Sequence, residues 1–302
     1  MKFEGIYTPA ITPLKAGGSI DKTAFAEVLE YLIATRVHGI VIAGSTGEYY
    51  AHTTQERLEL AAWAKEVIGT RAQLIVGTGA IRTEESIEYA KLAKAIKADA
   101  ILVGTPPYAL PTEAENAAHA LAIDAAAGLP VMLYNYPGRM SMSMGREFFR
   151  TVTQASKNFV AIKESSGQTG QLHMLACEFP GIALSCGWDD QALEFFAWGA
   201  RSWVCAGSNF IPREHVALYE ACVVEKDFDK GRRIMAALMP LMDFLEGGKF
   251  VQSIKYGCEL AGLRAGGVRA PLQGLTEEEK QGLQAVVAKL KSEVAAITGG
   301  KA

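Results

Sequence analysis

Val160-Ala161-Ile162-Lys163-Glu164-Ser165-Ser166-Gly167 is an apolar run interrupted by a lysine and closed by hydroxyls and a glycine. Starting one residue earlier, Phe159 to Ile162 reads as a short buried strand, with Lys163 standing where it ends. A lysine that closes a buried strand packs its stem and turns its amine towards a cavity. Desolvation there disfavours the ammonium form, lowers the pKa and makes the amine a nucleophile for a carbonyl carbon. The same segment alone also fits a lysine that packs its stem along a strand end and keeps its charge in water. The neighbouring segments decide between the two.

Outward from this stretch, short apolar runs alternate with longer amphipathic segments. Gly5–Ile11 is followed by Asp21–Arg36, whose Phe25, Val28, Leu29, Leu32 and Ile33 fall at helical spacing. Gly39–Ala43 precedes a helix over Thr54–Ile68, for which Thr53 or Thr54 is a suitable N-cap. Leu74–Gly77 leads to Thr83–Lys97, which carries acids in its first turn, and Ala100–Gly104 leads to Thr112–Ala127. Val131–Asn135 precedes Met144–Ser156, Phe159–Lys163 precedes Gly170–Glu178, and Ile182–Ser185 precedes Asp190–Trp198. Ser202–Ala206 and a helix over Arg213–Glu225 complete eight strand-then-helix units. Eight units with short connections predict a parallel (β/α)8 TIM barrel ringed by helices. The rival, an open doubly wound sheet, more often stops at five or six strands and carries a Gly-rich fingerprint after the first, and Gly5–Ala16 has none. Asp229–Glu246, Lys249–Ala261 and Thr276–Ile297 read as three further helices, with Gly247-Gly248 and Gly262 to Pro271 as breakers. The expected division is a catalytic barrel over 1–226 and a helical extension packed on it over 227–302.

The bulk numbers agree with a small-molecule protein. The chain has 302 residues, 49% of them hydrophobic, and a net charge of -3 with the two signs interspersed. No basic stripe points to nucleic acid, no apolar run is long enough to span a bilayer, and the N-terminus lacks a signal-peptide pattern. Cys177, Cys186, Cys205, Cys222 and Cys258 are scattered and odd in number, which fits reduced core residues of a cytoplasmic protein. The five histidines are equally dispersed, and no spacing proposes a metal site.

In a parallel barrel the chemistry lies at the carboxyl ends of the strands. Polar residues do follow the predicted strands. Gly44-Ser45-Thr46-Gly47-Glu48 follows the second run and Thr105-Pro106-Pro107-Tyr108 the fourth. Tyr134-Asn135-Tyr136-Pro137-Gly138-Arg139 ends the fifth, Lys163 the sixth, Cys186-Gly187-Trp188-Asp189-Asp190 the seventh and Gly207-Ser208-Asn209 the eighth. Singly each is weak. Gly-Ser-Thr-Gly fits a plain turn or a phosphate nest but lacks P-loop lysine spacing, Tyr134 alone fits a core aromatic, and Asp189-Asp190 fits a helix cap as well as a catalytic role. Together, a lysine, two tyrosines, hydroxyls and an arginine on one rim suit capture of a 2-keto acid as an imine.

The set GSTGE (44–48), YNYPGR (134–139), IKESSG (162–167) and GWDD (187–190), in this order on an eight-unit barrel, resembles the dihydrodipicolinate synthase / N-acetylneuraminate lyase family. The resemblance runs over essentially the whole chain. It implies class I, Schiff-base chemistry on pyruvate-like 2-keto acids, with no metal or organic cofactor, in a homo-oligomer that is a tetramer in the family. By matching position it implies that Lys163 is the Schiff-base lysine and Tyr134 the proton shuttle. Ser45 matches the hydroxyl linking Tyr134 to a second tyrosine, Tyr108, which family tetramers lend to a neighbouring subunit. Ser45 and Thr46 would grip the keto-acid carboxylate, and Arg139 a second substrate's carboxylate. Gly187, Asp189 and Ser208 match positions lining the distal pocket in the lyase branch, and Val204 on the eighth run joins this substrate-binding set.

The branch is less determined. Ser45 in place of threonine, Pro107 in place of a tyrosine of the lysine-inhibition site, and Trp188 in GWDD lean away from a lysine-pathway synthase, whereas Arg139 leans towards one. The reading from sequence ranks a generic Schiff-base lyase first, then a 1-pyrroline-4-hydroxy-2-carboxylate deaminase, then 4-hydroxy-tetrahydrodipicolinate synthase. A barrel that binds a metabolite without turning it over, or a phosphate-binding barrel, are the readings from other classes.

Overall fold

A computed structural model describes residues 2–300. Eight parallel strands close into a barrel in chain order. They are β1 (Gly5–Pro9), β2 (Gly39–Ile42), β3 (Gln73–Gly77), β4 (Ala100–Gly104), β5 (Val131–Asn135), β6 (Phe159–Glu164), β7 (Ala183–Cys186) and β8 (Ser202–Val204). The outer helices are α1 (Lys22–Ala34), α2 (Thr54–Ile68), α3 (Thr83–Ala95), α4 (Glu113–Ala127), the single turn α5 (Pro137–Met140), α6 (Arg146–Ala155), α7 (Thr169–Glu178), α8 (Ala192–Ala197) and α9 (Pro212–Tyr219). Three more helices follow, α10 (Phe228–Glu246), α11 (Phe250–Leu260) and α12 (Glu277–Thr298).

Most elements fall within a residue or two of where their hydrophobic period places them. Local chemistry sets the starts. Thr53, Thr112 and Thr276 each accept from the amide three residues on, while Glu56, Glu115 and Glu279 reach back to the cap amide. Three departures are informative. The segment over Asp190–Trp198 is a 3-10 turn (Asp189–Gln191) and then α8, and the one over Arg213–Glu225 is α9 continued by a π-helical stretch, Glu220–Val224. Cys177 is exposed on α7, so it is not a core residue as its four buried counterparts are.

Side-chain alternation along the strands divides the interior into two layers. Ile101, Val103, Val131, Leu133 and Ile162 point outward and pack under the helices in the main core. Tyr7, Val41, Ile75, Leu102, Met132, Tyr134, Ala161 and Val204 point into the barrel and fill it. The inward series on β5 is therefore Met132, Tyr134, and on β6 it is Ala161, Lys163. The strands are paired so that Gly104, Tyr134, Lys163 and Ser185 lie side by side on β4 to β7. Two-residue alternation and this register bring the phenol and the amine to the same height on adjacent strands.

Among the described residues no helix is long and apolar enough to cross a membrane.

Candidate active site

At the carboxyl ends of the strands a small cavity is walled by Ser45, Thr46, Tyr134, Tyr136, Arg139, Lys163, Gly187, Trp188, Asp189, Val204, Glu246 and Phe250, among others. Eight of the ten residues singled out from sequence meet there. The other two, Tyr108 and Ser208, do not line it.

Lys163 is mostly buried, its amine 4.4 Å from the centre of the Tyr134 ring. Burial holds its pKa below the ordinary lysine value, against the pull of Asp189 and Tyr136 towards the charged form. Burial likewise pushes the Tyr134 phenol up to about 12, opposed by the Arg139 charge and a hydrogen bond with Ser45. The arrangement favours a neutral amine beside a neutral phenol, the state in which an amine attacks a carbonyl.

Gly187 lines the cavity and also makes room for its neighbour. A Cβ there would lie 2.1 Å from the Ser165 hydroxyl oxygen, 2.6 Å from Lys163 Cγ and 2.9 Å from Lys163 Cε. The absent side chain is the space the lysine stem occupies. The residue that follows β7 is a glycine here because β6 carries a long side chain beside it.

The loop after β2 is held in an unusual shape. Ala43 and Glu48, which bracket Gly44-Ser45-Thr46-Gly47, have φ of 53° and 57°. The Gly47 and Glu48 amides close turns on the Gly44 and Ser45 carbonyls, whereas among the described residues the Ser45 and Thr46 amides donate to no protein acceptor. Unspent amides beside a buried threonine suit a carboxylate. What holds the loop is Glu48, fully buried and paired with Lys255 of α11, which is 2% exposed. The second Glu48 oxygen accepts from the Arg269 amide, and Lys255 also donates to the Gly267 carbonyl at 2.6 Å. The helical extension thus pins the first functional loop.

Asp189 is buried. Its carboxylate accepts from Trp203 Nε1 at 2.8 Å and the Ala206 amide at 3.3 Å, so it ties β7 to β8 and caps no helix. Burial raises its pKa to about 7, opposed by the Trp203 hydrogen bond and the Lys163 charge. Ser208 lies beneath the rim: its hydroxyl is 2.7 Å from that of Thr8 and donates to the Cys205 carbonyl, because a 3-10 turn, Gly207–Asn209, folds it inward. Tyr108, with φ of 72°, projects away from the chain and is 90% exposed.

Four cavity residues of consequence have no role assigned from sequence, although two of them, Tyr136 and Trp188, stand in its rim motifs. Tyr136 and Trp188 meet edge-to-face at 6.0 Å and form an aromatic wall, and the Arg139 guanidinium lies 5.5 Å from the Tyr136 ring and 5.9 Å from that of Phe250. Glu246 and Phe250 come from the end of α10 and the start of α11, whose amphipathic period marks a core face and says nothing of a cavity.

Comparison with known proteins agrees with this geometry. The family model described as the dihydrodipicolinate synthetase family matches residues 2–290. The chain belongs to that family. Its members are class I aldolase-type lyases working through a Schiff base, which sets aside a barrel that only binds. A 4-hydroxy-tetrahydrodipicolinate synthase from Exiguobacterium sibiricum is 35% identical over 89% of this chain and 92% of the relative. One from Bacillus subtilis is 31% identical over 96% of this chain and 100% of its own. Among solved structures, the synthase of Methylacidiphilum fumariolicum SolV superposes with a TM-score of 0.94 at 30% identity, covering 100% of both chains. A prophage protein of the dihydrodipicolinic acid synthase family from E. coli K12, solved in complex with pyruvate, has a TM-score of 0.90 at 28% identity over 96% of this chain and 99% of that one.

Proposed function

We propose that this enzyme holds pyruvate as an imine on Lys163 and condenses it with an amino-acid aldehyde, the reaction of a 4-hydroxy-tetrahydrodipicolinate synthase. The observation that carries the reading is the buried Lys163 amine over the Tyr134 ring in a cavity that also holds Arg139. The relatives support the synthase over the deaminase that the motifs alone ranked ahead of it.

The chemistry follows from the groups present. The neutral amine of Lys163 adds to the pyruvate carbonyl, and loss of water leaves a protonated imine. The pyruvate carboxylate lies on the free Ser45 and Thr46 amides. The imine draws electrons from the adjacent methyl, which gives up a proton to become an enamine. That carbon bonds to the aldehyde carbon, and the aldehyde oxygen takes a proton to become a hydroxyl. The acceptor's ammonium gives its proton to water, and the free amine then adds to the imine carbon and releases Lys163 as the free amine. The product has seven carbons, two carboxylates and one ring nitrogen. Removing pyruvate's three carbons leaves a four-carbon amino-acid semialdehyde, whose carboxylate Arg139 receives.

Tyr134 moves the protons. A phenol near pKa 12 is a poor base alone, so it needs a relay that shares its proton. Ser45 starts that relay. Its next member is Tyr108 of a neighbouring copy: a tyrosine 90% exposed on its own chain is available to lend, and a recess lined by Gly44, Ser45, Gly77, Gly104 and Tyr134 opens beside the relay. The working state is therefore an oligomer, a tetramer on the family pattern.

Borohydride reduction in the presence of pyruvate tests the reading. The peptide bearing Lys163 gains the mass of a reduced pyruvyl adduct, and Lys163→Ala gains none while keeping its fold. An adduct elsewhere, or none, refutes the imine; an adduct without condensation of aspartate 4-semialdehyde refutes the acceptor. Release of ammonia from 1-pyrroline-4-hydroxy-2-carboxylate by the unmodified enzyme restores the deaminase.

A further inference from the structure

Among the described residues, three charged side chains besides Lys163 border the cavity: Arg139 after β5, Asp189 after β7 and Glu246 at the end of α10. Asp189 is consumed by Trp203 and the Ala206 amide. Arg139 and Glu246 are both exposed at the mouth, and among the described residues neither belongs to an ion pair. The Arg139 guanidinium lies 5.9 Å from the ring of Phe250, four residues past Glu246, and its charge draws the Glu246 pKa down against the rise that burial imposes. Opposite charges on one cavity wall that do not close on each other leave both partners for a ligand.

We propose that Arg139 and Glu246 form a zwitterion clamp, Arg139 taking the carboxylate and Glu246 the ammonium of the acceptor amino-acid aldehyde, so that Glu246 selects acceptors bearing an amine. This rests on the proposed condensation and adds to it. Arg139 alone reads only a carboxylate and accepts any keto-acid partner with an acidic tail. Glu246 adds the second point. Two points on the α-carbon substituents also fix the direction in which the aldehyde points, towards the enamine on Lys163. The acid arrives on α10, outside the barrel, so the helical extension sets acceptor specificity while the barrel supplies the imine.

Two measurements on the full-length enzyme separate the clamp from the reaction. The first is calorimetric binding of L-homoserine and of 4-hydroxybutyrate to enzyme saturated with pyruvate; the pair differs only by the amine. Wild type prefers L-homoserine, and Glu246→Gln loses that preference by about 10- to 100-fold, the worth of a charge-assisted hydrogen bond, with 4-hydroxybutyrate affinity unmoved. Equal preference in wild type and variant, or no preference in wild type, overturns the clamp. The second is condensation with aspartate 4-semialdehyde against succinate semialdehyde. Absence of product from both, with the homoserine preference intact, upholds the clamp and overturns the synthase reading instead.

Discussion

Substituting Gly187 by alanine tests whether its role is to make room. The new Cβ would lie 2.1 Å from the Ser165 hydroxyl, 2.6 Å from Lys163 Cγ and 2.9 Å from Cε, where carbon atoms settle at about 3.5–4.0 Å. Among the described residues the Ser165 hydroxyl has no hydrogen-bond partner, so it rotates away at little cost. The lysine stem has less freedom, because Cγ sits close to the β6 backbone that carries it, and it must shift by about 1 Å to restore contact. Overpacking of this kind costs ~1–3 kcal/mol. In a domain of this size that lowers Tm by only a few degrees. The kinetic effect is larger, since ~1 Å of misplacement at a reacting group costs on the order of 10²-fold. The assay is the initial rate of borohydride-trapped adduct with pyruvate, beside a thermal melt. Adding Ser165→Ala removes the hydroxyl contact alone, so the double variant regains little of the stability and none of the rate. Trapping by Gly187→Ala at the wild-type rate refutes the packing argument.

Tyr134→Phe keeps the ring under the amine and removes the proton carrier, so turnover drops by ~10²–10⁴-fold while the variant stays folded, as steady-state rates and circular dichroism will show. Lys255→Met strands the Glu48 carboxylate in the core and costs ~3–5 kcal/mol in denaturant unfolding, whereas Lys255→Met with Glu48→Gln recovers most of it. Acid weakens the fold in two stages. His52, His119 and His215 have folded pKa values of about 4, below the usual 6.5, so their contribution is whole above pH 6.5 and drains as pH falls towards 4. Glu56, held at about 2 by Arg269, adds a second loss below 4.5. Asp189, raised to about 7, runs the other way between 4 and 7 and offsets one histidine. Unfolding midpoints that stay flat from pH 7 to 4 would contradict this balance.

The barrel is legible in the sequence because each strand is buried on both faces and each helix on one, two periods that short-range pattern distinguishes. Lys163 and Tyr134 are legible for a related reason: each is a polar residue on the inward parity of a buried strand. Ser208 stands at an equally suggestive place after the eighth run, but a 3-10 turn folds it onto Thr8, and turn direction has no linear signature. Glu246, Phe250 and Lys255 lie about 80 to 90 residues past Lys163 on helices whose composition is ordinary. Only the docking of α10 and α11 on the barrel mouth turns them into site residues. The Schiff-base lyase is legible in the motifs, but the order of the specific reactions is not, since single residues such as Trp188 do not carry the pattern that the whole-chain relatives share.

The tie between Glu48 and Lys255 has a consequence for biosynthesis. The ribosome emits the loop holding Ser45 early, yet the lysine that anchors it leaves the exit tunnel some two hundred residues later. Until then a glutamate meant for the interior stays in water, and the loop has no reason to settle. Nascent chains that already contain all eight strands would be catalytically silent, and competence would arrive in a single late step.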